Sequence, residues 1–426
     1  MGYDRGVTCV TGSDDTAALS LALGVRVLRS RRDDCLMWEG EHVATEINFD
    51  LPDELVALQT RAREYVAEQI APSAGDRDRA ERFERGIVDG LGKAGFGRMA
   101  FEGIAPGQTP SLLPFAIVCE EIARHSASDV LNYASHAMLA AGTIHRFGTP
   151  EQIAKYFDPM IDGELLGCYS ITEPGAGSDA AALQTTAVRD GDEYVLNGTK
   201  IFATNGPDAD VFVIFAKTDP EAGGRGVSAF IVERGYAGFS TKGMGSKLGM
   251  RASAQAVITL EDCRVPAGNL LGDEGAGLRI ALASLDVGRV AIAAQGVGIA
   301  RGAYEEARAH ALERQAFGRP IAENQGVGFL LADMWTETDA ARLLTWRAAG
   351  SVSAGRRASH EVAMAKGYAT DIAMRAAENA VQILGGKGCT TASPVERYFR
   401  DAKVAQIYDG TNQVMRMVIV GQLSRA

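Results

Sequence analysis

Two short strings carry the residues best suited to chemistry: Thr172-Glu173-Pro174-Gly175-Ala176-Gly177-Ser178-Asp179 and Ile407-Tyr408-Asp409-Gly410-Thr411. In the first, two glycines between a predicted helix and a predicted hairpin let main-chain N–H groups approach a flat or anionic ligand. A tight structural turn has the same composition, because glycine punctuates chains generally. Gln382-Ile383-Leu384-Gly385-Gly386-Lys387-Gly388 is a second glycine-rich turn, placed where a helix C-cap is the ordinary explanation. Arg314-Gln315-Ala316-Phe317-Gly318-Arg319-Pro320 puts two cations at a helix end, where they complement the dipole. Asp409 adds an acid–base group. Each feature is ordinary alone; their order in one chain narrows the possibilities.

The elements that must position these residues fall into three stretches. From Asp50, apolar residues at three- and four-residue steps (Leu55, Leu58, Ala62, Val66, Ile70) predict a helix ending before Pro72. Further helices are predicted around 83–94, 112–125, 137–147 and 151–161. The period then changes. Thr185–Arg189 and Glu193–Thr204 flank Asp190-Gly191-Asp192, a hairpin signal, and Asn197-Gly198 predicts a second tight turn. Short β-branched runs at 211–217, 227–233 and 254–260 complete a small β region. Long Ala-rich helices return at 277–314, 325–349 and 361–384, with a last one from about Gln413, as in an antiparallel bundle.

The 426-residue chain, 46% hydrophobic, can bury more than one core. Its net charge of -11 argues against a general nucleic-acid or anionic-membrane binder, whose footprint is basic. The six cysteines (Cys9, Cys35, Cys119, Cys168, Cys263, Cys389) show no C-x-x-C pair and no metal-site spacing, so buried reduced thiols in a cytoplasmic protein are expected and no metal. The apolar run 17–28 is too short to span a bilayer and follows Asp14 and Asp15, so neither export nor a membrane anchor is read from it. Residues 1–48 lack the periodic patterning that follows. Translation starting at Met37 is one reading of them, and a native N-terminal peptide near Met1 would exclude it.

Together, these motifs resemble the acyl-CoA dehydrogenase family from about Phe49 onward, short- and medium-chain members above all. Thr199-Lys200-Ile201-Phe202-Ala203-Thr204-Asn205-Gly206 resembles that family's second flavin motif, and Lys247–Ser253 and Glu261–Pro266 resemble its β-domain landmarks. The resemblance implies an N-terminal α-helical domain (49–167), a middle small β-barrel or sheet domain (168–270) and a C-terminal four-helix bundle (271–426), with 1–48 as an extension. It implies FAD. Tyr169, Ile171, Thr172, Gly177 and Ser178 would line the flavin, Phe202 would pack on the ring and Thr204 would bond near N5. Thr411 and Gln413 also fall in the cofactor set. Arg314, Phe317, Gln325, Gln382, Gly385 and Gly386 would reach the cofactor from a neighbouring subunit, making a homotetramer the expected assembly. Ser178, Asp286, Arg289 and Gly410 would face an acyl thioester, most simply on CoA, and an electron-transfer flavoprotein or similar carrier would take the electrons.

The same resemblance places Asp409 at the position of the base that removes the thioester α-proton while hydride leaves the β-carbon. The family's usual residue there is Glu. Some relatives carry the base just before the Arg of Leu-Asp-x-x-Arg, but here that residue is Gly288. Losing one methylene draws the carboxylate back by roughly 1 to 1.5 Å. Three readings stand: a substrate seated closer to the backbone, such as a branched or alicyclic acyl group; a different reaction, such as nitroalkane or acyl-thioester oxidation or dehydrogenation of a carrier-bound acyl group; or compensated drift. A non-catalytic flavoprotein is the rival from another class, against which the retained Asp409 speaks. Gly288 and Ala203 leave room near the reacting carbons. Phe101–Pro110 lacks the family's Pro-x-x-x-Gly-Gly pattern, which reshapes one wall of the substrate mouth. His136 is read as a packing or hydrogen-bonding residue.

Overall fold

The structure, a computed structural model, describes residues 50–423 and the strands β1 (Arg26–Arg29) and β2 (Leu36–Glu39). β1 and β2 pair antiparallel, Arg26 opposite Glu39. Most of the 1–48 extension lies outside the described residues, as does most of the apolar run 17–28; Met37 falls within β2.

From Leu51 the chain clusters as one unit in which helices precede and follow a sheet. The first helix, α1 (Asp53–Gln69), buries Ala62 and Val66 as its spacing predicts. Pro72 does not end the helical region. It sits in the first turn of α2 (Ala71–Arg79), where its missing N–H costs no intrahelical bond. α2 is held by Arg77, whose buried guanidinium makes two 2.8 Å bonds to Asp129. Asp129 lies on α5 (Ala127–Ala134), which follows α3 (Arg85–Lys93) and α4 (Leu112–Ala123). A π-helical turn, Ser135–Ala141, joins α5 to α6 (Gly142–Phe147). His136 lies in that turn, fully buried: its Nδ1 accepts from the Gly167 N–H (3.0 Å), so its Nε2 donates to the Met160 carbonyl (2.9 Å). Burial pushes its pKa down to about 4, leaving a neutral bridging residue, in keeping with the sequence expectation.

The middle sheet contains β3 (Gly167–Ser170), β4 (Thr186–Asp190), β5 (Glu193–Thr204), β6 (Val211–Lys217), β7 (Val227–Glu233), β8 (Phe239–Gly243), β9 (Gln255–Pro266) and β10 (Leu270–Leu271). The order is β10-β7-β6-β4-β5-β9-β8, with β3 parallel to β6. β4 and β5 form the predicted hairpin. Asn197-Gly198 is not a turn: β5 runs through it with a bulge, and Asn197 exchanges hydrogen bonds with Asp262 of β9. Gly198 is required there, because a Cβ would lie 2.4 Å from Thr185 Oγ1.

α7 (Gly277–Glu313) is long and apolar enough to cross a membrane, but most of its apolar window is buried by the rest of the unit. It packs with α8 (Gln325–Ser353), α9 (Ser359–Leu384) and α4, and the hairpin β11 (Gln315–Ala316) and β12 (Arg319–Pro320) joins α7 to α8. Small residues line the seams: a Cβ at Gly296 would lie 2.9 Å from the Ala369 backbone. After α9, capped by Gly385 at φ 59°, an unpredicted helix α10 (Val395–Ala405) precedes the Asp409 turn and α11 (Asn412–Leu423). Cys119, Cys168 and Cys263 are free and buried as expected, whereas Cys389, past the end of α9, is exposed.

Candidate active site

The loop after β3 is built from opposed backbone bonds: Glu173 N–H donates to the Ala176 carbonyl (3.0 Å) and Ala176 N–H to the Glu173 carbonyl (3.1 Å). The Thr172 carbonyl accepts from Ile201 N–H (2.9 Å), tying the loop to β5. Beneath it, the buried Glu173 carboxylate receives Lys200 Nζ (2.7 Å) and the Thr185 N–H (3.0 Å). Burial drives the Lys200 pKa down to about 8, while Lys200 and the hydrogen bonds hold Glu173 ionised, below its usual value. Neither residue was assigned this role from sequence; a lysine at a core-facing strand position was the available signal.

The outer face of this loop is open. A Cβ at Gly175 or Gly177 would meet nothing within 4 Å. Phe202 sits at the second register shift of β5 with φ 55°, which leaves its ring 59% exposed beside the loop's anchor at Ile201. Two buried polar atoms near this face, Ser170 Oγ and Gln255 Oε1, have no protein partner. Gln255 Nε2 lies 3.4 Å from Thr204 Oγ1. An exposed aromatic ring, an open glycine loop and unpaired buried polar atoms fit a flat heteroaromatic ring with hydrogen-bonding edges.

Asp409 lies in the turn between α10 and α11 at φ 53°, a left-handed conformation that Asp tolerates better than most residues. Arg289 of α7 donates from Nε to the Asp409 carbonyl (2.8 Å) and from Nη1 to Asp286 (2.9 Å). Ser359 donates to the other oxygen of Asp286. Lys366 of α9, fully buried, donates to the Gly410 carbonyl (2.8 Å) and to Asn412 Oδ1 (3.0 Å). Burial raises the Asp409 pKa above the ordinary carboxylate value, opposed by the charges of Arg289 and Lys366. Tyr169, on β3, reaches α7, where its hydroxyl donates to the Ala281 carbonyl (3.3 Å), and the charges of both Asp409 and Arg289 act on it.

The structure therefore brings together Asp409, Gly410, Arg289, Asp286 and Tyr169. Ile171 and Thr172, half-buried, extend from Tyr169, and Gly177 and Ser178 are exposed further along the loop. Thr411 is half-buried and Gln413 exposed at the start of α11. Arg314, Gln325, Gln382, Gly385 and Gly386 are exposed, Phe317 is 98% exposed at φ 53°, and no hydrogen bond or ion pair among the described residues joins them to Asp409. The room expected at Gly288 is taken: a Cβ there would meet Leu139 Cδ2 at 2.7 Å. Lys366 was missed in sequence, although a lysine on the stripe Val362, Lys366, Ala369, Ala373 is visibly out of place on an apolar face.

Profiles of the acyl-CoA dehydrogenase N-terminal, middle and C-terminal domains match residues 52–164, 168–263 and 275–424. The chain belongs to the acyl-CoA dehydrogenase family. The short-chain-specific acyl-CoA dehydrogenase of Clostridium acetobutylicum is 42% identical over 379 residues, 89% of this chain and 100% of that protein. Among solved structures, the butyryl-CoA dehydrogenase of Megasphaera elsdenii matches with TM-score 0.86 and 38% identity, covering 89% of this chain and 100% of that one. A chain solved in work on the electron transferring flavoprotein of Acidaminococcus fermentans matches with TM-score 0.87 and 43% identity, covering 89% and 100%. The dehydrogenase is an FAD-dependent oxidoreductase, and the open loop with its exposed Phe202 fits that cofactor.

Proposed function

We propose that this acyl-CoA dehydrogenase oxidises a short acyl-CoA between its α and β carbons, with Asp409 as the base. FAD supplies the hydride acceptor when bound. Asp409 takes the α-proton on its carboxylate, and a pKa raised by burial makes it a stronger base than an exposed aspartate. Arg289 holds the Asp409 carbonyl, so the backbone cannot drift to offset the short side chain. The observation that carries the reading is a half-buried carboxyl group on a turn whose carbonyls are gripped by two cations, Arg289 and Lys366, and whose charge acts on Tyr169 at the end of β3.

A base one methylene short favours an acyl group that seats its α-carbon near the backbone, so branched or alicyclic acyl groups belong in the substrate range alongside the short straight chains of the relatives. Leu139, packed into the space beside Gly288, supports a compact acyl group. Thr172, Ser178, Phe202 and Thr204 would hold the flavin ring; Arg314, Phe317, Gln325 and the Gln382–Gly386 turn, exposed in the isolated chain, would serve the adenosine half across a tetramer interface. An electron-transfer flavoprotein would be the acceptor. The test is anaerobic mixing of the yellow protein with straight, branched and alicyclic acyl-CoAs and with a nitroalkane while following the visible flavin band. Bleaching by a compact acyl-CoA, lost in Asp409→Asn, is the expected result; bleaching only by a nitroalkane would sink the thioester reading.

A further inference from the structure

We propose that Lys366 is the positioning residue of the base: it fixes the turn that carries Asp409 through the Gly410 carbonyl and Asn412, and its charge keeps the Asp409 carboxyl ionised. The inference rests on Asp409 being the base.

The geometry is a pair of grips on consecutive carbonyls. Arg289, from α7, takes the Asp409 carbonyl at 2.8 Å, and Lys366, from α9, takes the Gly410 carbonyl at 2.8 Å. Lys366 also holds Asn412 Oδ1, while Asn412 donates to Asp371 Oδ1 (2.7 Å) and its N–H to the Gln406 carbonyl (3.0 Å), closing the turn at its far side. Asp409 and Gly410 both have positive φ (53° and 95°), so this backbone stays in place only if the surroundings hold it.

Hydrogen bonding alone does not call for a lysine. A fully buried ammonium is expensive unless a carboxylate pairs with it, and Lys366 makes no ion pair among the described residues. The charged and titratable groups around the turn are few. Arg289 is paired with Asp286, Asp371 is engaged by Arg416 and Asn412, and the buried Tyr169 and half-buried Tyr408 are phenols whose pKa values are pushed upward. Burial lowers the Lys366 pKa to about 8, so it is a cation through the acid side of the titration; Asp409 is the anion whose charge acts on it most strongly, and Lys366 acts on Asp409 in return, beside Arg289. The cation therefore favours the state in which Asp409 can accept a proton.

The test compares wild type with Lys366→Met, Lys366→Arg and Asp409→Asn as FAD-loaded proteins. The rate of anaerobic flavin bleaching by butyryl-CoA is followed from mildly acid to alkaline pH. In parallel, the infrared band of the protonated carboxyl that Asp409→Asn lacks is titrated without substrate. Lys366→Met is expected to move both midpoints toward higher pH by about one unit, so that its rate at acid pH falls about tenfold further than at alkaline pH. Lys366→Arg is expected to keep the wild-type midpoints. A uniform loss of rate in Lys366→Met with both midpoints unmoved would reduce the lysine to a structural prop and overturn the proposal. Should Lys366→Met fail to fold around flavin, Lys366→Gln removes the charge while keeping a donor, and the same midpoints decide. Failure of the underlying reading looks different: Asp409→Asn would then still bleach.

Discussion

Replacing Asp409 by Glu installs the residue that the family resemblance leads one to expect at this position, and here we expect it to impair the enzyme. The added methylene pushes the carboxylate forward by roughly 1 to 1.5 Å on ordinary bond lengths. Because Arg289 and Lys366 hold the carbonyls of Asp409 and Gly410, the backbone cannot retreat to absorb that length, and the whole displacement falls on the carboxyl. A misplacement of that size costs about a hundredfold where the bound geometry is already set, or about 2.7 kcal/mol in activation free energy. Glu also tolerates the left-handed φ of 53° less well than Asp, adding about 1 kcal/mol of destabilisation to the turn. The assay is rapid-mixing reduction of the flavin by one compact branched and one short straight acyl-CoA, with urea unfolding alongside. The reasoning gives a hundredfold slower reduction with the compact substrate and a smaller loss with the straight one. If Asp409→Glu were faster than wild type on both, the aspartate would be drift and the argument from arm length would be refuted.

Glu173→Gln strands Lys200 as an unpaired buried cation, and losses of 3–5 kcal/mol are typical of broken buried pairs; reduced denaturant midpoint and early flavin release on heating would register it, and an unchanged midpoint would contradict it. Gly198→Ala forces a Cβ against Thr185, for an expected loss of about 1–3 kcal/mol in the same unfolding assay. Asp401, fully buried behind the Met250 N–H, has its pKa raised by burial to about 6. The folded state then binds more protons than the unfolded chain between about pH 4 and 6, so this group's contribution grows less favourable as pH rises through that window. Asp401→Asn should accordingly be more stable than wild type at neutral pH, by on the order of 2–3 kcal/mol, with the advantage gone near pH 4; a pH-independent difference in thermal midpoint would argue against it.

What the sequence made legible was whatever carried a clean period. The long helices α7, α8 and α9 and the β4–β5 hairpin stand where their apolar spacing and Asp190-Gly191-Asp192 put them. α10 went unseen because its inward face includes Arg397 and Asp401, whose partners lie far away in the chain, so its buried residues do not read as apolar. α2 was hidden by Pro72, a breaker that is harmless in a first turn. Asn197-Gly198 misled because the dipeptide marks a turn by its conformational freedom, and here that freedom serves a bulge and a close approach to Thr185. At the candidate site, Asp409 and Arg289 stand out in the sequence as motif residues and the structure joins them by a hydrogen bond, while Lys366 and the Glu173–Lys200 pair depend on contacts between distant segments that no local pattern encodes.

The glycine loop 172–178 owes its shape to residues that follow it. Its Glu173 is fastened to Lys200 and Thr185, and Thr185 in turn fits only against a residue with no side chain at 198. The loop proposed to hold the flavin is consequently not a portable cassette. Grafting it into another sheet, or swapping in a relative's version, would have to carry Thr185, Gly198 and Lys200 with it, and shuffling libraries with a crossover between 178 and 200 should yield mostly colourless protein.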